Sequence, residues 1–330
     1  MSEAKHRIVG IGNALVDVVA SVEAGVIARH GLTMGGMHLV EADAAHALFE
    51  EVGPGVSQSG GSVANSIAHL ADAGVAGTYL GKVAADTLGA RFREEMAGMG
   101  IDAPVPDLAA GGIGTGRCVV LVTPDGERTM STHLGAAIRL GPEDVRAACP
   151  RDFALLLVEG YLWDAPEGAG AIEAAAERAK AAGARVALTP SDAGCVERNR
   201  AAMMAFIDRH CDILIGNHVE VGALAGVAET GGAMDWALSQ VSVAAVTEHE
   251  KGSLVADRSG RHHVPAAPVA RVVDTTGAGD AYASGFLGGF VRGLPVAECG
   301  RLGADLAARV LVHYGARDGA AARAIALPAA

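Results

Sequence analysis

Short apolar runs bounded by glycine or proline alternate along the chain with alanine-rich stretches of helical period. The runs at residues 7–13, 77–83, 155–160, 185–190, 212–216 and 244–248 predict strands. Residues 62–73, 166–182, 219–225, 231–240, 280–292 and 296–314 predict helices. Apolar strands separated by helices read as βαβ units on a mostly parallel sheet covered on both faces, an α/β fold.

Two segments break that rhythm. Residues 15–41 and 114–134 predict β-ribbon. In the second, residues 117–123 and 128–134 flank Pro124-Asp125-Gly126, where Pro presets φ and Gly accepts a positive φ. A hairpin set into an α/β chain predicts a lid. The expected division is an α/β core of residues 1–13, 42–113 and 135–330, with a lid of residues 14–41 and 114–134. No long linker or internal repeat interrupts it.

Composition narrows the classes of function. The 330 residues are 50% hydrophobic and 19% charged, as in ordinary globular proteins. The net charge of −12 disfavours nucleic acid and anionic membrane as partners, because both call for basic patches. Five scattered cysteines without a C-x-x-C pair fit a reducing compartment, and neither a disulfide framework nor a zinc site. The first residues do not read as a signal peptide, and no apolar run approaches the ~18 residues of a membrane span, so a cytoplasmic location is expected.

The strongest local signal is Asp274-Thr275-Thr276-Gly277-Ala278-Gly279-Asp280, which ends a predicted strand and opens a helix. Free amides and the macrodipole make a helix N-terminus an anion site, and glycines let the backbone come close to a phosphate. Asp280 then stands where a base would face the reacting group, or serves as a helix cap. Gly60-Gly61-Ser62-Val63-Ala64-Asn65 is a second glycine-rich helix start. There Asn65 could hold a substrate hydroxyl, or the motif is a plain helix with a serine cap.

Asp17 is a carboxylate in an apolar stretch. It either holds vicinal hydroxyls or lies on a surface edge strand. Asn217 and Glu220 follow a strand and could organise Mg²⁺, with Asn217 acting through water; the plainer reading is a capping pair. Arg128, just past the hairpin turn, could swing onto transferring phosphates, or be an exposed strand residue. No G-x-x-x-x-G-K-[ST] occurs, and Leu15 stands where the third glycine of a dinucleotide fingerprint would be.

In this order the motifs resemble the ribokinase-like (PfkB) carbohydrate and purine kinase family over nearly the whole chain. Gly12-Asn13-Ala14-Leu15-Val16-Asp17 resembles its N-terminal strand with the substrate-binding Asp. Gly60, Gly61 and Asn65 resemble its first signature, Asp274 to Asp280 its second, and Asn217 to Glu220 its Mg²⁺-linked N-x-x-E motif. The resemblance implies a Rossmann-like three-layer core with a β-sheet lid, ATP near the second signature, and a monomer or a lid-mediated homodimer. The adenosine kinase branch is the nearest, from residues 10–22, Thr115-Gly116-Arg117-Cys118, Arg128, Leu134-Gly135-Ala136-Ala137 and residues 212–217.

The expectation is therefore transfer of the ATP γ-phosphate to the 5′-hydroxyl of adenosine. Asp280 is expected as base, with the Gly277, Ala278 and Gly279 amides and Arg128 stabilising charge. Asn13, Asp17, Gly60, Gly61 and Asn65 would hold the acceptor, and Tyr161 or Trp163 would stack on the base. Asn217, Thr247, Gly252, Thr275, Gly277 and Gly279 would hold the nucleotide. A requirement for K⁺ is left open. Three departures from the pattern matter. His218 replaces a common Glu, Thr247-Glu248-His249 lacks a usual Gly, and the lid segments carry no aromatic residue. They keep a sugar such as ribose, fructose or 2-keto-3-deoxygluconate open as acceptor. A nucleoside-binding protein without catalysis is a more distant alternative.

Overall fold

The computed structural model describes residues 6–53, 55–109 and 111–317. The chain opens with β1 (Ile8–Ile11), β2 (Leu15–Ser21), α1 (Ala24–Arg29), β3 (Met37–Leu39), α2 (Ala42–Val52), β4 (Val56–Gly60) and α3 (Ser62–Asp72). It continues through β5 (Gly77–Leu80), α4 (Thr87–Gly98), β6 (Thr115–Val122), β7 (Arg128–Gly135) and α5 (Pro142–Ala148). Next come β8 (Leu155–Glu159), α6 (Gly168–Ala182), β9 (Arg185–Thr189), α7 (Ala193–His210), β10 (Ile213–Asn217), α8 (His218–Ala225) and α9 (Thr230–Gln240). It closes with β11 (Val243–Thr247), β12 (Ser253–Asp257), β13 (Gly260–Val264), α10 (Ala278–Phe290) and α11 (Val296–Val310).

The large sheet has the order β13-β12-β11-β10-β9-β8-β1-β5. From β11 to β5 every pairing is parallel, and β12 and β13 add an antiparallel edge. One face packs on α5 to α9 through residues such as Val158, Ile172, Phe206 and Leu224. The other packs on α3, α4, α10 and α11 through Ile67, Phe92, Phe286 and Cys299. Strand succession reverses where β1 lies between β5 and β8. Sheets of this kind leave a crevice beyond the strand C-termini at such a point, because the connecting helices turn away to opposite faces.

The second, smaller sheet, β3-β7-β6-β2-β4, holds the segments expected as a lid. Side chains alternate across it. Val119 and Leu121 face Ile27 of α1 and Leu48 of α2, while Cys118 and Val120 join Leu15, Met130 and Leu134 on the opposite face. The hairpin turn forms as expected, with Gly126 at φ 83°. Helices of the same chain cover one face and the cleft lies under the other.

Three expectations change. Residues 15–41 are not unbroken ribbon, since α1 lies among them. The boundary at residue 42 moves, because β4 pairs with β2 and α2 buries Leu48 against the lid; Ser57, Gln58 and Ser59 are too polar to read as a strand. Helix α7 is absent from the sequence reading because its buried Val196, Met203, Phe206 and Ile207 are spread among charges. No helix among the described residues is long and apolar enough to cross a membrane.

Candidate active site

A cleft of about 800 Å³ opens between the lid's inner face and the ends of the parallel strands. Asn13 beyond β1, Glu159 of β8, Thr189 of β9, Asn217 of β10 and Thr247 of β11 all reach it.

The N-terminus of α10 forms its floor. Gly277, at φ 76°, is the residue before the helix, and a β-carbon there would come within 2.6–2.8 Å of Ala316. At Gly279, which also lines the cleft, a β-carbon would meet nothing within 4 Å, so the space beside this residue is open. Asp280 lies in the first turn rather than at the cap. It accepts from Ser62 Oγ at 2.7 Å and from Asn65 Nδ2 at 3.3 Å. Burial pushes its carboxyl up to about 6, against the pull of those two donors and of Arg128 and Arg317. Arg128 crosses from the lid to donate to the Thr275 carbonyl.

Asp17 is not on an edge: β2 lies between β6 and β4. Burial pushes its carboxyl up to about 7, while Arg317 and the Gly61 amide pull it down. Gly60 stands behind it, where a β-carbon would come within 2.1–2.4 Å of that carboxylate. Gly61, at φ 102°, brings the backbone within 2.2 Å of the Asn13 carbonyl, measured from where its β-carbon would be. Asn13 Oδ1 and Asn65 Oδ1 are buried acceptors without a partner among the described residues, and both residues line the cleft. Such acceptors call for a donor, from water or a ligand.

Glu159 escaped the sequence reading. It ends the apolar β8, is 1% exposed, and accepts from the amides of Asn13 at 2.8 Å and Val63 at 2.9 Å. It thus ties β1 to the start of α3 at the crevice, and burial pushes it up to about 7. A carboxylate closing a run of leucines is the signal that could have found it. Ser62 was present in the signature but read only as a cap, a place that Gly61 takes.

Asn217 and Glu220 form the capping box of α8. Asn217 accepts from the Val219 and Glu220 amides, and its own amide groups donate to the Glu220 carboxylate. Both also line the cleft, and burial pushes Glu220 up to about 8. No group of three or more His, Cys, Asp or Glu side chains able to hold a metal occurs among the described residues. One carboxylate and one amide suit Mg²⁺ held mainly by water and substrate phosphates. Thr247, Gly252, Thr275 and Ala278 line the same end, with His249 at φ 46° beside them and the His218 ring edge-on to it at 5.4 Å.

Tyr161 reaches the cleft, and Ser191 Oγ accepts from its amide at 3.2 Å. Trp163 does not. Its ring packs edge-on to Phe206 at 5.4 Å within the helical layer, which removes it as a stacking partner.

The same architecture recurs in solved structures. A probable sugar kinase from Rhizobium etli superposes with a TM-score of 0.92 at 34% identity, covering 97% of each chain. An adenosine kinase from Sinorhizobium meliloti gives 0.91 at 38%, covering 97% of this chain and 98% of that one. Among curated proteins, an uncharacterized sugar kinase of Archaeoglobus fulgidus is 51% identical over 63 residues, and the chain spans only 25% of that relative's length. Residues 31–323 match the model of the pfkB family carbohydrate kinases, and the chain belongs to that family.

Proposed function

We propose that the chain is an ATP-dependent kinase that transfers the γ-phosphate to the 5′-hydroxyl of adenosine. The observation that carries the acceptor is the two-part character of the cleft. Leu15, Met37, Cys118, Val120, Met130 and Leu134 give its lid wall an apolar surface, while Asn13, Asp17 and Asn65 gather at its base. A nucleoside matches both parts, its base against the lid and its ribose hydroxyls on the polar groups. A free sugar has nothing to place on the lid.

Asp280 takes or orients the proton of the acceptor hydroxyl as its oxygen attacks the γ-phosphorus. The amides opening α10 face the charge that gathers on the transferring phosphoryl group, and Arg128 adds a cation from the lid. Such transfer depends on positioning and electrostatics more than on covalent catalysis. Mg²⁺, held at Glu220 and Asn217 through water, would offset phosphate charge at the nucleotide end.

A sugar acceptor is the second reading, favoured by lid strands without aromatics and by the likeness to the Rhizobium protein. Measuring kcat/KM with ATP for adenosine, other nucleosides, ribose, fructose and 2-keto-3-deoxygluconate separates the two. A free sugar ranking first would remove the adenosine assignment. No phosphorylation of any acceptor would remove the kinase reading.

A further inference from the structure

Residues 315 to 317 touch three parts of the site from outside the cleft. The Gly315 amide donates to Asp274 Oδ2 at 2.9 Å, anchoring the turn that precedes α10. His69 Nε2 of α3 donates to the Ala316 carbonyl at 3.0 Å. Arg317 Nη2 donates to Ser59 Oγ of β4 at 2.8 Å, one residue from the Gly60 that backs Asp17. The guanidinium is thereby fixed behind the acceptor end, in a crevice shared with Gln58, Asp72, Glu95 and Met99.

Five carboxylates, Asp17, Glu159, Glu220, Glu250 and Asp280, line the cleft, and Arg128 is the one Lys or Arg among its described lining residues. Arg128 lies on the lid and reaches across the cleft to the core. A second cation that does not depend on that crossing is needed if both Asp17 and Asp280 are to work as anions beside ATP. Opposite charges in low dielectric favour the ionised form of each, and Arg cannot lose its proton.

We propose that Arg317 is a positioning residue for the phosphoryl transfer, its tethered guanidinium keeping Asp17 and Asp280 anionic in the closed, water-poor site. This rests on the reading of Asp280 as the base. The surroundings fit. Burial pulls the guanidinium below its ordinary value, Asp17, Glu95, Asp72 and Asp280 act against that pull and favour its charge, and Met99 Sδ lies 3.7 Å from Nη1. Around Asp280 stand Ser62, Asn65, Arg128, Asp17, Glu159 and Glu220. Around Asp17 stand the Gly61 amide, Asp280, Tyr79 and Cys118. His69, also on α3, is pushed down to about 4 by burial and stays neutral while it holds Ala316.

The test is the pH profile of kcat/KM for the acceptor in Arg317→Met and Arg317→Lys. Its readout is the position of the acid limb, not the height of the plateau. In Arg317→Met the limb should move to higher pH by about one unit, the size expected for losing a nearby opposite charge, and Arg317→Lys should move it back. Arg317→Gln carries the same test if the Met variant does not accumulate as folded protein. A limb that stays in place, whatever happens to the plateau, makes Arg317 merely structural and overturns the inference. The underlying reading has its own check: full turnover by Asp280→Asn would remove the base without bearing on where the Arg317 limb lies.

Discussion

Ser62 Oγ donates to Asp280 Oδ1 at 2.7 Å, joining the two glycine-rich helix starts across 218 positions of sequence. Each residue taken alone reads as a helix cap, and in each case a glycine takes the cap. Gly61 precedes α3 at φ 102° and Gly277 precedes α10 at φ 76°. The displaced polar side chains are free to meet each other. The carboxylate is then held in one orientation over the amides of α10, as a base must be if it is to act on a positioned hydroxyl.

Asp280→Asn should lower kcat by about 10²–10⁴-fold, the usual share of a general base. Dissociation constants for ATP and acceptor should change little, since the amide keeps the shape of the group. Ser62→Ala should be milder and should raise the acid limb of kcat/KM, because Ser62 helps hold the Asp280 carboxyl down. Steady-state kinetics beside equilibrium binding checks both. Unchanged turnover in Asp280→Asn would take this residue out of the chemistry.

Activity and stability should respond to pH in opposite directions. Asp280 at about 6 and Asp17 at about 7 must both be ionised to work, so kcat/KM should fall as pH drops through 7 towards 6. For stability the sign reverses. Asp17, Glu159, Glu220 and Asp280 all have raised values in the fold, so between their unfolded and folded values the native state binds more protons than the unfolded chain. The ligand-free protein should therefore gain Tm as pH falls from 8 towards about 6.5. Below that, His69 works against the gain, because burial keeps it neutral in the fold while it charges in the unfolded chain. Tm measured across pH checks this, and Asp17→Asn should flatten the slope. A Tm that drops steadily from pH 8 would contradict the buried carboxylates.

The two glycines at the start of α10 should separate stability from function. Gly277→Ala places a β-carbon 2.6 Å from that of Ala316 at a positive φ, so it should lower Tm by several degrees. At Gly279 the β-carbon meets nothing within 4 Å, and Gly279→Ala should leave Tm nearly unchanged. Its methyl would instead stand where a phosphate must come close, so KM for ATP should rise. Thermal melts and ATP titrations of the two variants should show opposite patterns. A Gly279→Ala enzyme with unaltered ATP kinetics would mean that the phosphate lies elsewhere.

Much of this was legible in the chain, and what was not has physical reasons. Buried parallel strands announce themselves because both faces need apolar residues, so β1, β5 and β8 to β11 fall where the pattern puts them. Strand β4 hides because Ser57, Gln58 and Ser59 carry no apolar face; its place is fixed by pairing with β2. Glycine motifs mark the helix starts that need open backbone. They say nothing of Glu159, whose role comes from two amides, one 146 and the other 96 positions away. Tyr161 and Trp163 look equivalent in sequence. The short 3₁₀ turn Gly160–Asp164 sends one to the cleft and the other onto Phe206.

That separation bears on how the base would be held. With Trp163 packed away, Tyr161 is the aromatic left of the two, and the lid wall of the cleft is mainly aliphatic or sulfur-bearing: Leu15, Met37, Cys118, Val120, Met130 and Leu134. Thioethers adapt to a flat ring and make favourable contacts with it. A purine can therefore be gripped without stacking on an indole. Adenosine should exceed ribose in kcat/KM by at least about tenfold, the worth of burying one ring at ~1.4 kcal/mol or more. Met130→Ala and Leu134→Ala should each lower kcat/KM for adenosine about three- to tenfold, while KM for ATP stays put. Trp163→Phe should leave both unchanged, because the ring serves the core. Tyr161→Phe tests whether the hydroxyl matters, and Tyr161→Ala whether the ring does. If the lid variants lose nothing on adenosine while Tyr161→Ala loses a hundredfold, the base lies on the core side and the lid wall has another occupant. If ribose matches adenosine in the unaltered enzyme, the apolar wall contributes nothing to recognition, and the acceptor is a sugar.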